Sequence, residues 1–315
     1  MEAWRFTGPG RGLVRTTVPM PRPASGEVLI EIKAAGLCHT DVGILDDPGW
    51  LPRLGPLPLT LGHEVAGMVA AVGAGVTGCS VGDRVGISPA GRTRPGLGRD
   101  GGYASHCVAL TDDLIPIPDR VSFAQAAAGT DAGKTARHAV KCRGRVASGE
   151  RVAVIGLGGI GQVAARLAVL EGAEVFIAES RDTLWPLARE LGAIDAVRSV
   201  EDLADAEIDT IIDLAGTGAT TRQAIAAVRQ GGTVVQVGLA SLEAMISTRD
   251  LVTRQVSLVG SSGGSRQDIG DVYALMAEGA LAPELPTIGF DDIPEGLRRV
   301  RAGTVVGRLV AIYGS

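Results

Sequence analysis

The fold is decided by Arg151-Val-Ala-Val-Ile155-Gly156-Leu-Gly158-Gly-Ile-Gly161, read with the apolar segment that follows it as far as Leu170. A β-branched run, a turn of spaced glycines and a helix with apolar periodicity predict the first β-turn-α unit of a dinucleotide-binding fold. Gly156 can adopt backbone angles that a Cβ disfavours, Gly158 lets the main chain approach a pyrophosphate, and Gly161 lets the helix pack on the strand. The free N–H groups of the turn would then face the phosphates. The predicted cofactor-binding residues of this turn are Gly156, Gly158, Gly159, Ile160 and Gly161.

A second strand, Glu174-Val-Phe-Ile-Ala178, ends in Glu179, which lies 18 residues beyond Gly161. At that spacing a carboxylate can accept hydrogen bonds from the adenosine ribose of a dinucleotide. The glycines could instead serve a tight turn alone, but strand, turn, helix and acid follow in the expected order and favour a cofactor. Glu179 favours NAD(H) over NADP(H), because a carboxylate would repel a 2′-phosphate. Arg181 leaves the choice open, because its guanidinium could reach such a phosphate.

Length and composition are those of a two-domain enzyme. The 315 residues are enough for two cores, and 45% of them are hydrophobic while only 3% are aromatic. A net charge of −5 without a run of Lys or Arg argues against a nucleic-acid or anionic-membrane partner. The N-terminus lacks the pattern of a secretory signal, and no apolar run reaches the roughly 20 residues that span a bilayer. We therefore expect a cytoplasmic protein.

The order of predicted elements indicates two domains, one of them discontinuous. Short strands separated by Pro and Gly fill the first part of the chain and predict an irregular antiparallel β-barrel. A helix from Ser122 to Ala147 leads into alternating strands and helices that end with the strand Val256–Gly260, which predicts a parallel sheet covered on both faces. A helix from Asp271 to Ala280 follows, and a terminal strand, Gly307–Tyr313, would return to the first domain. The predicted domains are residues 1–121 with 262–315, and residues 122–261.

Two motifs in the first domain contain metal-ligand residues, Gly36-Leu-Cys38-His39-Thr40-Asp41 and Gly62-His63-Glu64. Thiolate and imidazole are preferred ligands of Zn²⁺, and a catalytic zinc site takes three protein ligands and leaves a fourth position open. Alone, Cys38 is more often a small buried hydrophobe and His63 a hydrogen-bonded core residue. Because these motifs offer one Cys and one His for a site that needs three protein ligands, a third ligand is needed from elsewhere in the chain. The other three cysteines have no paired spacing, are expected to be structural, and make a disulfide framework improbable; they are Cys79, Cys107 and Cys142.

Nearly the whole chain resembles a zinc-dependent alcohol dehydrogenase of the medium-chain dehydrogenase/reductase superfamily. The resemblance lies in both motifs, in the glycine turn and in the segments Val81-Gly-Asp-Arg-Val85 and Asp100-Gly-Gly-Tyr-Ala104. It implies an α/β protein with a doubly wound Rossmann nucleotide domain and a GroES-like catalytic domain. It nominates Asp131 as the third metal ligand, Glu64 as a ligand that exchanges, and Asp41 as the carboxylate that orients a ligand imidazole.

The same resemblance assigns roles along the reaction path. Thr40 corresponds to the hydroxyl that passes the substrate proton, Thr135 to a residue at the nicotinamide end, and Arg308 and His39 to groups near the pyrophosphate. Two departures stand out. The segment Ser88 to Arg99 has no cysteine where many members carry a four-cysteine lobe, which excludes a structural zinc. Gly43 stands where a relay histidine is common, so a proton relay must end at solvent, at the ribose or at His39.

Three hypotheses of function follow. The first is hydride transfer between NAD(H) and a primary or secondary alcohol, aldehyde or ketone, with one catalytic zinc. The second is a zinc-free NAD(P)H-dependent enone or quinone reductase of the same superfamily, and the third a non-catalytic nucleotide-binding protein. The family implies a homodimer or homotetramer, joined through the edge strand Val256–Gly260. The substrate is open: the residues between the ligand motifs could line an apolar pocket, and are equally consistent with a core or a loop; they are Trp50, Leu51, Leu57 and Leu59.

Overall fold

The computed structural model of the protein describes residues 1–314. They form two compact units, Met1–Lys134 with the segment that starts at Ser265, and Thr135–Gly264. The chain leaves the first unit through a helical run made of α2 (Phe123–Ala128), a π-helical turn (Gly129–Gly133), α3 (Lys134–Arg137) and a second π-helical segment (His138–Arg143). The predicted domain limits after residues 121 and 261 remain a proposal about independently folding regions.

Other elements of the first unit are mainly strands. They are β1 (Glu2–Phe6), β2 (Leu13–Thr17), β3 (Glu27–Gly36), α1 (His39–Asp46), β4 (Leu59–Thr60), β5 (Glu64–Val72), β6 (Arg84–Ile87), β7 (His106–Leu110), β8 (Leu114–Pro116), α8 (Arg266–Ala277), β15 (Thr287–Gly289), α9 (Ile293–Arg301) and β16 (Val310–Ile312). Short 3₁₀ helices lie at Pro48–Arg53, Thr111–Asp113 and Phe290–Asp292.

The larger sheet of the first unit fixes where its functional residues meet. Its strand order is β15-β16-β3-β5-β6-β8, with β7 also paired to β3. The antiparallel register of β3 and β5 places Gly36 opposite Glu64, so the residues just after β3 and just before β5 lie at the same end of the sheet. β16 pairs with the same end of β3, with Val310 opposite Gly36. The prediction that the terminal strand returns to the first domain's sheet agrees with this pairing.

Strands and helices alternate in the second unit. It contains β9 (Arg151–Ile155), α4 (Gly159–Leu170), β10 (Glu174–Ala178), α5 (Trp185–Glu190), β11 (Asp195–Val197), β12 (Ile208–Asp213), α6 (Ala219–Ala227), β13 (Val228–Gln236), α7 (Thr248–Thr253) and β14 (Ser257–Gly260), with 3₁₀ helices at Asp182–Leu184 and Val200–Leu203. The six strands are parallel in the order β11-β10-β9-β12-β13-β14. The predicted Rossmann sheet is confirmed, and the central β9 is apolar along Val152–Ile155 because helices cover both of its faces.

The predicted start of the helix that follows the parallel sheet differs from the structure. The sequence predicts a helix from Asp271, whereas α8 begins at Arg266. The Ser265 hydroxyl accepts a hydrogen bond from the Asp268 backbone N–H at 3.1 Å, and the Asp268 carboxylate accepts one from the Ser265 N–H at 2.7 Å. This reciprocal capping box satisfies two N–H groups at the helix start, so the helix begins one turn earlier than apolar periodicity indicates. Of the helices in residues 1–314, none combines the length and apolar composition needed to cross a bilayer.

Candidate metal centre and nucleotide-binding turn

Four metal-ligating side chains converge in the first unit. Cys38 is the N-cap residue of α1, directly after β3, while His63 and Glu64 stand at the start of β5. Asp131 lies in the π-helical turn Gly129–Gly133. One donor atom from each of the four lies within 4.8 Å of the others. The structure thus brings together all three predicted ligands and the predicted exchanging ligand.

The spacing of the donor atoms fits a zinc ion. The Asp131 Oδ2 atom lies 3.9 Å from Cys38 Sγ and 3.5 Å from His63 Nε2. Ordinary zinc bond lengths in a tetrahedral site place such donor atoms about 3.4–3.6 Å apart. A small contraction would therefore put sulfur, nitrogen and oxygen at bonding distance from a single ion.

Asp41 connects the two ligand motifs through its carboxylate oxygens. Its Oδ1 lies 3.3 Å from His63 Nδ1, and its Oδ2 accepts hydrogen bonds from the Cys38 backbone N–H at 3.1 Å and from the Tyr103 hydroxyl at 2.9 Å. All four residues are buried. A carboxylate on Nδ1 fixes the ring orientation of His63 and leaves Nε2 directed at Asp131, which is the usual support of a metal-ligating histidine.

Glu64 is a buried carboxylate that faces an arginine. Its Oε1 lies 2.9 Å from an Arg308 terminal nitrogen, yet within residues 1–314 neither carboxylate oxygen has an aligned hydrogen-bond donor. The other terminal nitrogen of Arg308 donates to the Leu37 carbonyl at 3.2 Å, whereas the nitrogen that faces Glu64 also lies 4.0 Å from Asp131 Oδ2. A Cβ on Gly36 would overlap the Glu64 carboxylate, so Gly36 provides the space for that side chain.

The electrostatics of the cluster are those of a cation site. Burial would lower the pKa of His63, but the carboxylates of Asp41 and Asp131 raise it well above its usual range. Burial opposes ionisation of Asp131, yet His63, Lys134 and Arg308 hold the pKa of that carboxyl below its usual range. Burial would likewise raise the pKa of the Cys38 thiol, but Arg308 and His63 lower it. Anionic ligands that are held by a protonated imidazole are poised to exchange that proton for a metal ion.

Glu64 responds to the same surroundings in the opposite direction. Burial, the largest effect, raises its pKa well above the ordinary value and outweighs the attraction of Arg308. A buried carboxyl group without aligned donors is expensive to keep as an anion. A cation that enters the cluster would therefore attract the Glu64 side chain and stabilise its charged form.

The first turn of α1 contains two further predicted residues. Thr40 is half-buried and His39 is exposed. Gly43 in the next turn explains the missing relay histidine, because a Cβ there would lie 2.8 Å from the Trp50 indole nitrogen. Trp50 packs against the core of the first unit and fills the space beside α1. Among the other residues considered for a substrate pocket, Leu59 belongs to that core, whereas Leu51 and Leu57 are exposed.

Hydrogen bonds hold the cysteine-free segment between Ser88 and Arg99. The buried Asp113 carboxylate accepts from the Thr93 N–H at 2.5 Å, and the Thr93 hydroxyl accepts from the Leu110 N–H at 2.9 Å. The Gly55 N–H donates to the Leu97 carbonyl at 2.7 Å. The cysteines outside the cluster are free thiols in different surroundings: Cys107 is buried, Cys79 is half-buried and Cys142 is exposed.

The glycine turn of the second unit has the predicted backbone geometry. Gly156 has φ +89°, which favours glycine, and a Cβ on Gly161 would overlap the Gly156 carbonyl oxygen. Gly158 is the N-cap residue of α4, and a Cβ there would meet nothing within 4 Å, so the main chain is open to a ligand. The first turn of α4, which includes Gly159 and Ile160, presents N–H groups that lack acceptors inside the helix. Thr135, the remaining predicted cofactor residue of this unit, is buried where the unit begins.

Glu179 follows β10 and is bound on both oxygens. Oε2 accepts from the Leu157 N–H at 2.9 Å and from an Arg181 terminal nitrogen at 3.0 Å. Oε1 accepts from the Arg181 backbone N–H at 2.9 Å and from its Nε at 3.0 Å. Burial opposes ionisation of Glu179, but these hydrogen bonds hold its pKa below the usual value. The predicted ribose-binding carboxylate is thus aligned by the glycine turn and covered by Arg181.

Comparisons with known proteins agree with both units. The family described as alcohol dehydrogenase GroES-like domain matches residues 24–119, and the family described as zinc-binding dehydrogenase matches residues 159–278. An alcohol dehydrogenase of Geobacillus stearothermophilus is 34% identical, over 93% of this chain and 94% of that protein. The acetophenone reductase of Geotrichum candidum in complex with NAD has a TM-score of 0.90 and 31% identity, covering 99% of this chain and 96% of that one. A cobalt- and zinc-bound thermostable alcohol dehydrogenase from Pyrobaculum aerophilum has a TM-score of 0.88 and 27% identity, covering 99% of both chains.

The fold, the relatives and the cluster define an oxidoreductase. The chain belongs to the zinc-type alcohol dehydrogenase family of medium-chain dehydrogenases/reductases. The family resemblance inferred from the motifs is therefore confirmed, and so is the pairing of a Rossmann unit with a GroES-like unit.

The Tyr103 hydroxyl binds Asp41, which supports the ligand His63, and the sequence does not indicate this role. It is the basis of a testable prediction. Replacing Tyr103 by Phe removes a donor to Asp41, which then supports His63 less firmly. We expect a loss of about 1–3 kcal/mol in unfolding free energy and roughly 10- to 100-fold weaker Zn²⁺ binding. Denaturant unfolding and competition with a chromogenic chelator would measure the two effects.

The matched control is Tyr273→Phe. The Tyr273 hydroxyl is also buried, and it donates to the Ala126 carbonyl at 2.9 Å rather than to the cluster. We expect a similar loss of stability with Zn²⁺ affinity unchanged. Equal Zn²⁺ affinities in the two variants would show that the Tyr103 hydroxyl does not support the metal ligands.

Proposed function

We propose that the protein transfers a hydride between NAD(H) and an alcohol or carbonyl compound, with one zinc ion held by Cys38, His63 and Asp131. The proposal is carried by the meeting of these three donor groups, in which Asp131 Oδ2 lies 3.5 Å from His63 Nε2 and 3.9 Å from Cys38 Sγ. Membership of a family described as zinc-binding dehydrogenases and similarity to a zinc-bound structure support the choice of metal. A second catalytic metal or a structural zinc is not part of the proposal.

When bound, the zinc would supply Lewis-acid polarisation of the substrate oxygen. Asp41 holds the tautomer of His63 in which Nε2 is free to bind the metal. The Thr40 hydroxyl hydrogen-bonds the substrate oxygen and passes its proton on. Because Trp50 occupies the space beside Gly43, that proton leaves through the cofactor ribose, through His39 or directly to solvent.

Glu64 and Arg308 adjust the charge beside the metal. Glu64 has no aligned donor within residues 1–314, so we propose that it approaches the ion when a ligand leaves and withdraws toward Arg308 otherwise. Arg308 also faces Asp131 and binds the Leu37 carbonyl, which fixes the guanidinium in place. A fixed cation at this position would also suit a phosphate-bearing cofactor.

We propose NAD(H) as the preferred cofactor. The open Gly158 turn and the buried Glu179 carboxylate suit a dinucleotide with free ribose hydroxyls, and the Geotrichum candidum neighbour was solved with NAD. Arg181 lies on the carboxylate, so ribose binding requires the guanidinium to move or to share the acceptor. The substrate class is that of small alcohols, aldehydes and ketones, and acetophenone is a rational first ketone because that neighbour is an acetophenone reductase.

The ligand set generates the central prediction. Cys38→Ala removes the thiolate ligand, so we expect loss of bound zinc and at least about 1000-fold lower turnover. NADH binding should persist, because the glycine turn lies on the second unit. Zinc content by elemental analysis, NADH fluorescence and a panel of alcohols and ketones would test this.

Cys79→Ala is the control, since Cys79 is a free thiol of the same unit outside the cluster. It should retain both zinc and turnover. Full turnover by Cys38→Ala would contradict the proposed function. A wild-type protein that contains no zinc and reduces enones in the presence of a chelator would instead support the zinc-free reductase.

Cofactor choice generates a second prediction. We expect the wild type to bind NADH more tightly than NADPH, because the Glu179 carboxylate repels a 2′-phosphate. Glu179→Gln removes that charge and should narrow the preference by about tenfold, which corresponds to one close charge interaction. Fluorescence titrations with both cofactors would measure it, and a wild type that prefers NADPH would reverse the assignment.

We also propose a homo-oligomer joined through the second unit. β14 is an edge strand of the parallel sheet, and the segment that precedes it in the chain contains Met245, which is 88% exposed, and Val252, which is 76% exposed. An apolar edge strand can pair with the same strand of a second copy about a two-fold axis, which buries these side chains. The occupant of this edge is therefore proposed to be another copy of the chain.

The oligomer proposal predicts the effect of a surface charge. The double variant Met245→Asp with Val252→Asp should shift the particle mass from oligomer to monomer in light scattering, because two carboxylates would be buried in the interface. Val81→Asp, at a valine 63% exposed on the first unit, should leave the mass unchanged. An unchanged mass in the double variant would place the contact elsewhere.

A further inference from the structure

Lys134 has no role in the proposed reaction, yet it is one of the most buried charged residues of the protein. It is 2% exposed, and its Nζ lies 3.5 Å from Asp131 Oδ1. The two residues stand three apart in the helical run that begins with α2, which places them on one face. A buried ammonium group is tolerated when it is paired, and Asp131 provides that pairing.

The two oxygens of Asp131 therefore face different groups. Oδ2 points toward Cys38 Sγ at 3.9 Å and His63 Nε2 at 3.5 Å, whereas Oδ1 faces Lys134. A carboxylate can bind a metal through one oxygen or through both. A bidentate Asp131 would fill the coordination position that a catalytic site leaves open for substrate.

We propose that Lys134 is a positioning residue that holds Asp131 to a single-oxygen ligand and so keeps one metal position open. The inference rests on the proposed function, since it concerns the same ion. The ammonium group competes with the metal for Oδ1, and an ion pair at a buried site is stronger than one in water.

The charge balance of the cluster indicates the cost of this arrangement. Cys38, Glu64, Asp131 and Asp41 can each carry a negative charge, and Arg308 and Lys134 carry two positive charges beside them. A divalent ion would complete the balance. The positive charge of Lys134 also repels the metal ion. The open coordination position is therefore kept at the expense of metal affinity.

The experiment replaces Lys134 by Met, which has a similar length and no charge. With Co²⁺ in place of zinc, we expect the wild type to show the intense visible absorption of four-coordinate cobalt. Lys134→Met should show weaker absorption as Oδ1 joins the metal, together with about tenfold tighter Zn²⁺ binding from the lost repulsion. Lys134→Arg retains the charge and should restore the wild-type spectrum and affinity.

Lys33→Met is the matched control, because Lys33 pairs with Glu31 in the same unit and not with the cluster. It should behave as the wild type in both measurements. If Lys134→Met does not fold, Lys134→Gln removes the same charge with a polar side chain and should give the same change in absorption.

An unchanged cobalt spectrum in a folded, charge-removing variant would overturn the proposal, whatever the change in affinity. So would Zn²⁺ binding that becomes weaker in Lys134→Met, since a purely structural support of Asp131 has that effect. A wild type that binds neither Co²⁺ nor Zn²⁺ would overturn the proposed function itself, and is therefore distinguishable from failure of the Lys134 assignment.

Discussion

The structure of the first unit is arranged around acidic and thiol side chains that lie close together in one buried space. Cys38, Glu64 and Asp131 have donor atoms within 4.8 Å of one another, with Asp41 behind His63. Burial disfavours every one of these charges, and the proteins that keep such groups do so with compensating cations or metal ions. Much of the surrounding structure provides compensation: Arg308 beside Glu64, Lys134 beside Asp131, and the Tyr103 hydroxyl on Asp41.

Backbone pairing makes this concentration possible. The register that sets Gly36 opposite Glu64 brings the end of β3 to the start of β5, and the pairing of β16 with β3 brings Arg308, two residues before β16, to the same place. A one-residue slip would turn every side chain of the strand to the other face of the sheet. The absence of a side chain at Gly36 is part of the same arrangement, since the Glu64 carboxylate occupies the space that a Cβ would take.

The sequence predicts those residues of the site that lie in short motifs. Cys38 and His63 lie in compact runs with the residue types that zinc prefers, and Gly156, Gly158 and Gly161 have a spacing that backbone sterics require. Asp131 could be nominated only through the resemblance to a family, because a single acid in a helix carries no local signal.

The contacts that the sequence does not indicate depend on tertiary packing or on local turn geometry. Tyr103 reaches Asp41 over 62 positions, and Trp50 fills the space beside Gly43 by tertiary packing. Lys134 reads as an ordinary helical lysine until its partner is known. The sequence indicates Arg181 as a cation that could reach a phosphate, but its close contact with Glu179 depends on the turn after β10. The predicted start of α8 is wrong for a related reason. The capping box between Ser265 and Asp268 starts the helix earlier than the apolar period predicts.

The segment from Ser88 to Arg99 shows how the backbone of the first unit can stabilise a buried carboxylate. The Asp113 carboxylate accepts from the Thr93 backbone N–H in a buried hydrogen bond, and the Thr93 hydroxyl accepts from the Leu110 N–H in a partly buried one. Neutral and charged hydrogen bonds of this kind need no divalent ion, because the Thr93 backbone N–H compensates the charge of the Asp113 carboxylate. Glu64 has no such donors in the described chain, so at the ligand cluster the compensation must come from cations. The difference between the two carboxylates, one with a backbone N–H donor and one without an aligned donor in residues 1–314, is a physical reason to expect a cation beside Glu64 rather than beside Asp113.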